Sequence, residues 1–435
     1  MSQFLNSSLQ DFQTSIMLFD LSIRGHHPNY IRHLISYWLA QNTVNFLYLV
    51  VSPRFLTEHP EVVQLADGAD SIEFVAITSE EETALASRQS KWGRQRRNFQ
   101  EWRLLQRYAK QLQVKHCVIL YLDTYILPLA LGLDSFCSLS GIYFRPRFHY
   151  PQWSDSPLTL RESLQLSWEK WLLFRVLSQA KFTKLLSLDP FVLDSIRQWS
   201  SSHKIVHVPD PVEEIPPVTV QREVFCQSRG IDSQRQIFLL FGALNERKGV
   251  YPLLEAIAQL PDHLAQKLCL FLVGESNIAD DLNPKIDNLC QNHPVQIVRH
   301  YQFIPHFEVS QYFQLADVIL APYQRHVGMS GILLLAAATQ KPVLSSNYGL
   351  MGQMVQRYEL GLTIDSSQPS AIAQGFTQFL TDSSPPNRSP GLPNATGTQN
   401  HPQRAKIWGN PSKMADLARQ HSPERFAATV FHQLF

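Results

Sequence analysis

Several things are scarce in this chain, and each scarcity removes a class of function. No stretch of its 435 residues reaches the roughly 18 consecutive apolar residues that a membrane-spanning helix needs. The first fifteen residues are polar and lack a basic start followed by an apolar run, which argues against a secretory signal peptide. Cysteine is sparse: Cys117, Cys137, Cys226, Cys269 and Cys290 are scattered, odd in number and form no C-x-x-C pair. That pattern fits neither a disulfide framework nor a zinc site, and it suits a reducing, cytoplasmic setting. No metal is expected, since the adjacent His26 and His27 lack the spacing of a ligand pair. Net charge is only +1, so nothing global draws the chain to nucleic acid or to an anionic membrane. There is no short-period repeat.

What remains is an ordinary globular composition, 44% hydrophobic and 17% charged, in a chain too long for one core. Two domains are expected. In the first half, short apolar runs alternate with amphipathic stretches. The runs are Ser15–Asp20, Phe46–Ser52, Ile72–Ile77, Cys117–Asp123, Gly141–Arg145, Leu185–Ser187 and Ile205–Val208. Buried strands alternating with helices imply a parallel sheet covered on both faces. Prolines at Pro209, Pro211, Pro216 and Pro217 interrupt the rhythm and mark a linker. It then restarts with strands Ile237–Phe241, Leu268–Val273, Val295–Arg299, Val318–Ala321 and Pro342–Ser345. The expected architecture is α/β: two doubly wound, Rossmann-like domains, 1–215 and 216–382, facing across a cleft. Residues 383–403, rich in Pro, Ser, Asn and Gly, read as a disordered insertion. Residues 404–435 read as a C-terminal helix that packs back on the first domain.

Two segments of the second half carry chemistry. In Phe238–Glu255 a buried strand runs into Gly242, and Lys248-Gly249 opens a helix. A lysine beside helix-terminal N–H groups offers a diphosphate both a point charge and aligned dipoles. A solvated turn would look the same. In His326–Gly352, Ser330 reads as an N-cap and Gly331 allows close backbone approach before an apolar helix. Its first N–H groups could hold an anion, or the segment is simply a core helix and its cap.

Taken in order, these motifs resemble the donor-binding domain of retaining glycosyltransferases of family four, which have the GT-B fold. Gly242 and Lys248-Gly249 match the family's glycine turn, and Val273-Gly274-Glu275 loosely matches a strand ending in Gly-Asp-Gly. Ala316-Asp317 through Pro322-Tyr323, then Ser330-Gly331, then Lys341-Pro342-Val343 follow in the family's order. The resemblance runs from about Ile237 to Gly361. In the first half, Gly25-His26 resembles the loop that faces the donor phosphates. His149 or Arg145 falls near a functional histidine of the family.

The resemblance implies transfer of a sugar from a nucleotide-sugar donor to a carbohydrate, lipid-linked or small-molecule acceptor. It implies retention at the anomeric carbon, no metal and no cofactor beyond the nucleotide-sugar co-substrate. Gly25, His26, Gly242, Arg247, Lys248, Ser330 and Gly331 would hold the donor. The departures are specific. Aligned without gaps on Lys341-Pro342-Val343, the family's two glutamates fall on Val327 and Leu335, and a later one on Gln353. The arginine that partners the lysine falls on Ala243, with Arg247 close by. A non-catalytic GT-B protein that binds a ligand or partner is therefore the alternative, and a sugar-nucleotide epimerase the second. Finally, Arg88–Lys110 holds eight basic residues interleaved with Trp92, Phe99, Trp102, Leu104 and Leu105. It reads either as a crossover helix with its apolar side in the core, or as a helix lying on anionic lipid at the inner membrane face.

Overall fold

The apolar runs become parallel strands buried on both faces, which is why they read as continuous rather than alternating. The computed structural model describes residues 14–433 apart from 42, 88, 154–157, 201–202, 217–219 and 383–406. The expected insertion at 383–403 thus lies outside the described residues. The first seven strands are β1 (Ser15–Asp20), β2 (Phe46–Val51), β3 (Ile72–Ala76), β4 (His116–Ile119), β5 (Ser138–Tyr143), β6 (Phe182–Ser187) and β7 (Ile205–His207). They form one parallel sheet ordered β3-β2-β1-β4-β5-β6-β7. The next six are β8 (Gln236–Phe241), β9 (Leu268–Val273), β10 (Gln296–His300), β11 (Val318–Ala321), β12 (Val343–Ser346) and β13 (Gly361–Ile364). Their sheet is also parallel, ordered β10-β9-β8-β11-β12-β13.

The strand order thus reverses once in each sheet, between β1 and β4 and between β8 and β11. Loops leaving the carboxyl ends of the two strands at a reversal diverge, and the crevice they leave is where such sheets bind ligands. The chain divides into two compact units: residues 1–151, 156–211 and 423–435 in the first, and 152–155 with 212–422 in the second. In the second unit the core is built from Phe238, Leu240, Leu253, Leu270, Phe376 and Phe379.

Two differences from the sequence reading have physical causes, and packing favours one of the two readings of the basic segment. The run Cys117–Asp123 is not one strand: β4 stops at Ile119 and Leu122–Thr124 is a 3-10 turn, because the Asp123 carboxylate accepts from the backbone N–H of Phe144 at 2.9 Å. The terminal segment is two helices, Pro411–Gln420 and Pro423–His432, since Pro423 cannot continue a helix from the residues before it. The second of these belongs to the first unit, where Phe426 meets Tyr30 (centroids 4.7 Å) and Phe431 meets Trp38 (5.0 Å). Lastly, the basic segment forms a helix over Lys91–Gln111 whose Trp102, Leu104, Leu105 and Tyr108 are buried in the core. Its apolar side is therefore spent on the sheet, and Arg97 pairs with the buried Glu101. The crossover-helix reading fits this helix; the lipid reading has only Trp92 left to support it.

Tyr30, on the helix His27–Ala40, donates to the Asp210 carboxylate. Burial pushes the Asp210 carboxyl up to about 6, and the Tyr30 hydrogen bond offsets only part of that. The folded chain then holds this proton more tightly than the unfolded chain. The group's contribution to stability is present below about pH 4 and is lost as pH rises through 6. Asp210→Asn removes the titration. Melting experiments between pH 4 and 7.5 should show the stability of the native chain relative to the variant falling by about 2 kcal/mol as pH rises. A difference that stays flat over that window would rule out the raised carboxyl.

Candidate functional site

At the β8/β11 reversal, the loop leaving β8 folds back on the strand exits. Gly242 has φ +99°, and a Cβ there would lie 3.2 Å from the Lys248 ammonium nitrogen. Glu246–Lys248 form a single 3-10 turn, and Gly249, at φ +75°, starts the helix Val250–Ile257. The sequence reading set Lys248 beside that helix's N–H groups. The structure instead turns it inward: the residue is 7% exposed, and Nζ donates to the Phe241 carbonyl (2.9 Å) and to the Tyr323 hydroxyl (2.5 Å). The ammonium also sits 4.3 Å from the centre of the Tyr323 ring. The reason is steric. Gly249 packs so tightly on the loop after β11 that a Cβ would come within 2.2 Å of the Pro322 carbonyl oxygen, which draws the turn under Tyr323.

Arg247 is exposed and donates from Nη1 to His326 Nδ1 at 2.7 Å. His326 packs edge-on against Tyr323 (5.4 Å) and its Nε2 lies 3.4 Å from the Met329 carbonyl oxygen, next to Ser330. Ser330 occupies the N-cap position of the helix Gly331–Ala338, but its side chain makes no capping bond to that helix. Open space lies beside Gly331, with nothing within 4 Å of where a Cβ would stand. Lys248, Arg247 and the Ser330-Gly331 terminus therefore share the carboxyl end of one sheet, linked through Tyr323 and His326. The arrangement offers a fixed cation, a mobile one and uncapped backbone dipoles, which together suit a diphosphate. Val327 is half-buried on the loop before this helix and Leu335 half-buried within it; neither offers a polar atom to a ligand. Gln353 is half-buried in the helix Gly349–Tyr358.

In the first unit, the β1/β4 reversal gathers an aromatic and charged cluster. Gly25, at φ +75°, carries the chain from β1 into His26, whose ring stacks on Phe144 (4.7 Å) and on His27 (4.5 Å). Asp20, the last residue of β1, lies 2.5 Å from His27 Nδ1. Arg145, half-exposed after β5, donates to the Tyr121 hydroxyl and lies 3.5 Å from the Asp123 carboxylate. Burial raises the Asp123 carboxyl, against the pull of the Phe144 N–H and of Arg145. A recess lined by Asp20, Ser22, Glu101, Tyr121, Thr124 and Tyr125 opens at the same strand ends. Gly25, His26 and Arg145 are thus brought together.

His149 is not part of that cluster. It is 4% exposed, and its Nε2 lies 2.8 Å from the carboxylate of the buried Asp189, just after β6. In this position it is a core histidine held by a carboxylate. The sequence reading named Tyr323, His326 and His27 only as parts of motifs and did not anticipate their contacts with Lys248, Arg247 and Asp20. Strand order was the missing signal: once β8 and β11 are neighbours, the residue after Ala321-Pro322 must meet the β8 loop.

Residues 221–390, which lie in the second unit, match the family model described as Glycosyl transferases group 1. Among curated proteins, the lipopolysaccharide glucosyltransferase WaaG of Escherichia coli K12 is 31% identical over 178 residues, 39% of this chain and 45% of that protein. A D-inositol 3-phosphate glycosyltransferase of Corynebacterium urealyticum is 25% identical over 206 residues, 46% of this chain and 48% of the other. The chain thus spans about half the length of the curated relatives it matches. Solved structures match it throughout. The HepE protein of Anabaena in complex with UDP and glucose has a TM-score of 0.61 at 12% identity, covering 97% of this chain and 99% of its own. The WaaG crystal structure has a TM-score of 0.58 at 17% identity, covering 96% and 99%. The fold is that of GT-B glycosyltransferases: two parallel-sheet, Rossmann-like domains.

Gly249→Ala should cost about 2–4 kcal/mol, because the positive φ and the contact with Pro322 are both incompatible with a Cβ. Thermal and urea unfolding would measure it. Stability equal to the native chain would mean that the 242–249 loop is free to move off Pro322.

Proposed function

We propose that the chain transfers a sugar from a nucleotide-sugar donor to an acceptor, with retention at the anomeric carbon and without a divalent metal. The observation that carries this reading is the buried Lys248 ammonium, held at the β8/β11 reversal of a glycosyl transferases group 1 domain near the open Ser330-Gly331 helix terminus. In the reaction, the bond from the anomeric carbon to the nucleoside diphosphate breaks, and negative charge builds on the departing phosphate oxygens. A fixed cation and aligned N–H dipoles stabilise that charge without reorganising, and they stand in the place a metal ion would otherwise fill. Arg247, exposed and hydrogen-bonded to His326 Nδ1, can swing onto the same phosphates. A uridine diphosphate donor is favoured by the HepE complexes, which contain UDP and UDP-glucose. Of the first unit's residues, Gly25, His26 and Arg145 gather at the β1/β4 reversal and are the ones proposed for substrate contact, whereas His149 is buried against Asp189. The family-four assignment rests on the ordered motifs from Gly242 to Lys341-Pro342-Val343.

A second reading has its own observation. Val327 and Leu335 stand where the resemblance calls for carboxylates that contact the donor sugar and ribose, so a nucleotide-binding protein without transfer activity is the alternative.

Titration calorimetry with UDP and GDP separates these readings from each other and from error. A charged hydrogen bond contributes roughly 1.5–3 kcal/mol, so Lys248→Ala should weaken nucleotide affinity about tenfold to a hundredfold. Unchanged affinity in a folded Lys248→Ala protein removes Lys248 from the site. Nucleotide binding with no turnover of any of a panel of nucleotide-sugars establishes the non-catalytic reading. Where turnover is found, chelation with EDTA should leave the rate unchanged; a rate that collapses and returns with magnesium refutes the metal-free mechanism.

A further inference from the structure

The helix Leu160–Leu177 is apolar on two sides but covered on only one. Leu173, Val176 and Leu177 face the core, and Leu166 and Leu172 are half-buried. On the opposite side, Leu160, Leu164, Trp168, Trp171 and Phe174 are between 45% and 87% exposed. At about 100° per residue these five fall within roughly 120° of arc, a continuous stripe along the whole helix. Trp168 and Trp171 stack on each other at 4.8 Å, so the stripe is ordered rather than a set of unrelated side chains. Leu131, also exposed, extends it, because Arg175 Nε donates to the carbonyl of the preceding Ala130 at 3.3 Å. An apolar surface of this size and continuity marks an interaction site.

The charges around the stripe say what covers it. Arg161, Lys170 and Arg175 are exposed on or beside it, and the Arg175 guanidinium lies 6.0 Å from the Trp171 ring centre. The helix's two carboxylates are engaged elsewhere. Glu169 turns inward to accept from the Tyr143 hydroxyl (2.7 Å) and the Arg147 N–H (3.0 Å). Glu162 folds back on Thr159 as half of a capping box. Solvent therefore meets tryptophan, leucine and phenylalanine bordered by cations. That is the composition of a helix lying in the boundary between lipid headgroups and acyl chains, with aromatic rings at headgroup level. Among the described residues no helix is long and apolar enough to cross a membrane, so such contact would be with one leaflet.

We propose that the exposed face of the helix Leu160–Leu177 docks the protein on an anionic lipid surface. This inference does not rest on the sugar-transfer reading. It also differs from the lipid contact considered for Arg88–Lys110, whose apolar residues are in the core.

The test uses the full chain and sedimentation with vesicles of phosphatidylcholine alone or mixed with phosphatidylglycerol. The native chain should sediment with the anionic vesicles, and its tryptophan emission should shift to the blue. Leu164→Ser/Trp168→Ser should lower that binding at least tenfold with an unchanged melting temperature, since both residues are exposed. Arg161→Glu/Lys170→Glu should weaken binding to the mixed vesicles and restore none to the neutral ones, while Trp92→Ser should change nothing. The proposal is overturned if the native chain ignores anionic vesicles, if the Leu164/Trp168 variant binds as well as the native chain, or if Trp92→Ser abolishes binding. It is equally overturned if sedimentation velocity shows a dimer that the Leu164/Trp168 variant dissociates, because the occupant is then a second copy.

Discussion

A buried ammonium ties the exits of two neighbouring strands together, and the second unit's candidate site is arranged around it. Lys248 donates to a carbonyl at the end of β8 and to a hydroxyl just past the end of β11, with the centre of the same tyrosine ring 4.3 Å away. These partners are dipoles. They orient the charge without cancelling it. A cation kept from water and met only by dipoles is an unfinished interaction, since desolvation is fully compensated only when an opposite charge is present. On the proposed reading, a bound phosphate would supply the opposite charge that these dipoles do not.

The same constraint explains why the paired hydrophobic positions need not abolish binding. On the proposed reading, Val327 and Leu335 leave the sugar and ribose side without the polar contacts the resemblance calls for, while Lys248, Gly242 and Ser330-Gly331 keep the residue types it expects on the diphosphate side. In the first unit the corresponding reversal is lined by rings, with Phe144 in contact with both His26 and Tyr121 and Arg145 and Asp20 beside them. Flat faces edged by hydrogen-bonding groups are what a polyol requires, apolar on one side and polar around its perimeter.

Much of this was legible from residues alone. Strands buried on both faces announce themselves as uninterrupted apolar runs, and β1, β9 and β11 begin and end where the sequence places them. β13 escaped because Gly361–Ile364 is short and only partly buried, with Thr363 breaking the run. The residues of the candidate site were legible as types and spacings, but their directions were not. Whether Lys248 points along a helix axis or under a tyrosine depends on which strands are adjacent, and adjacency is a long-range property. Helix exposure is hidden for the same reason. The helix Lys91–Gln111 advertises a basic, tryptophan-bearing surface and buries most of its apolar side. The helix Leu160–Leu177 has no comparable run of charge, and it leaves its tryptophans in solvent. Amphipathic pattern identifies a helix; only packing decides which side meets water.

The helix Pro423–His432 completes the first unit although more than two hundred residues of the second unit precede it in the chain. Tyr30, Tyr37 and Trp38 meet their aromatic neighbours Phe426 and Phe431 only through that late segment. On the ribosome, the first sheet therefore emerges with one flank uncovered and waits through the whole synthesis of its sister domain before the last piece arrives. The order of maturation is inverted: the domain made second can close first, and the domain made first is sealed last.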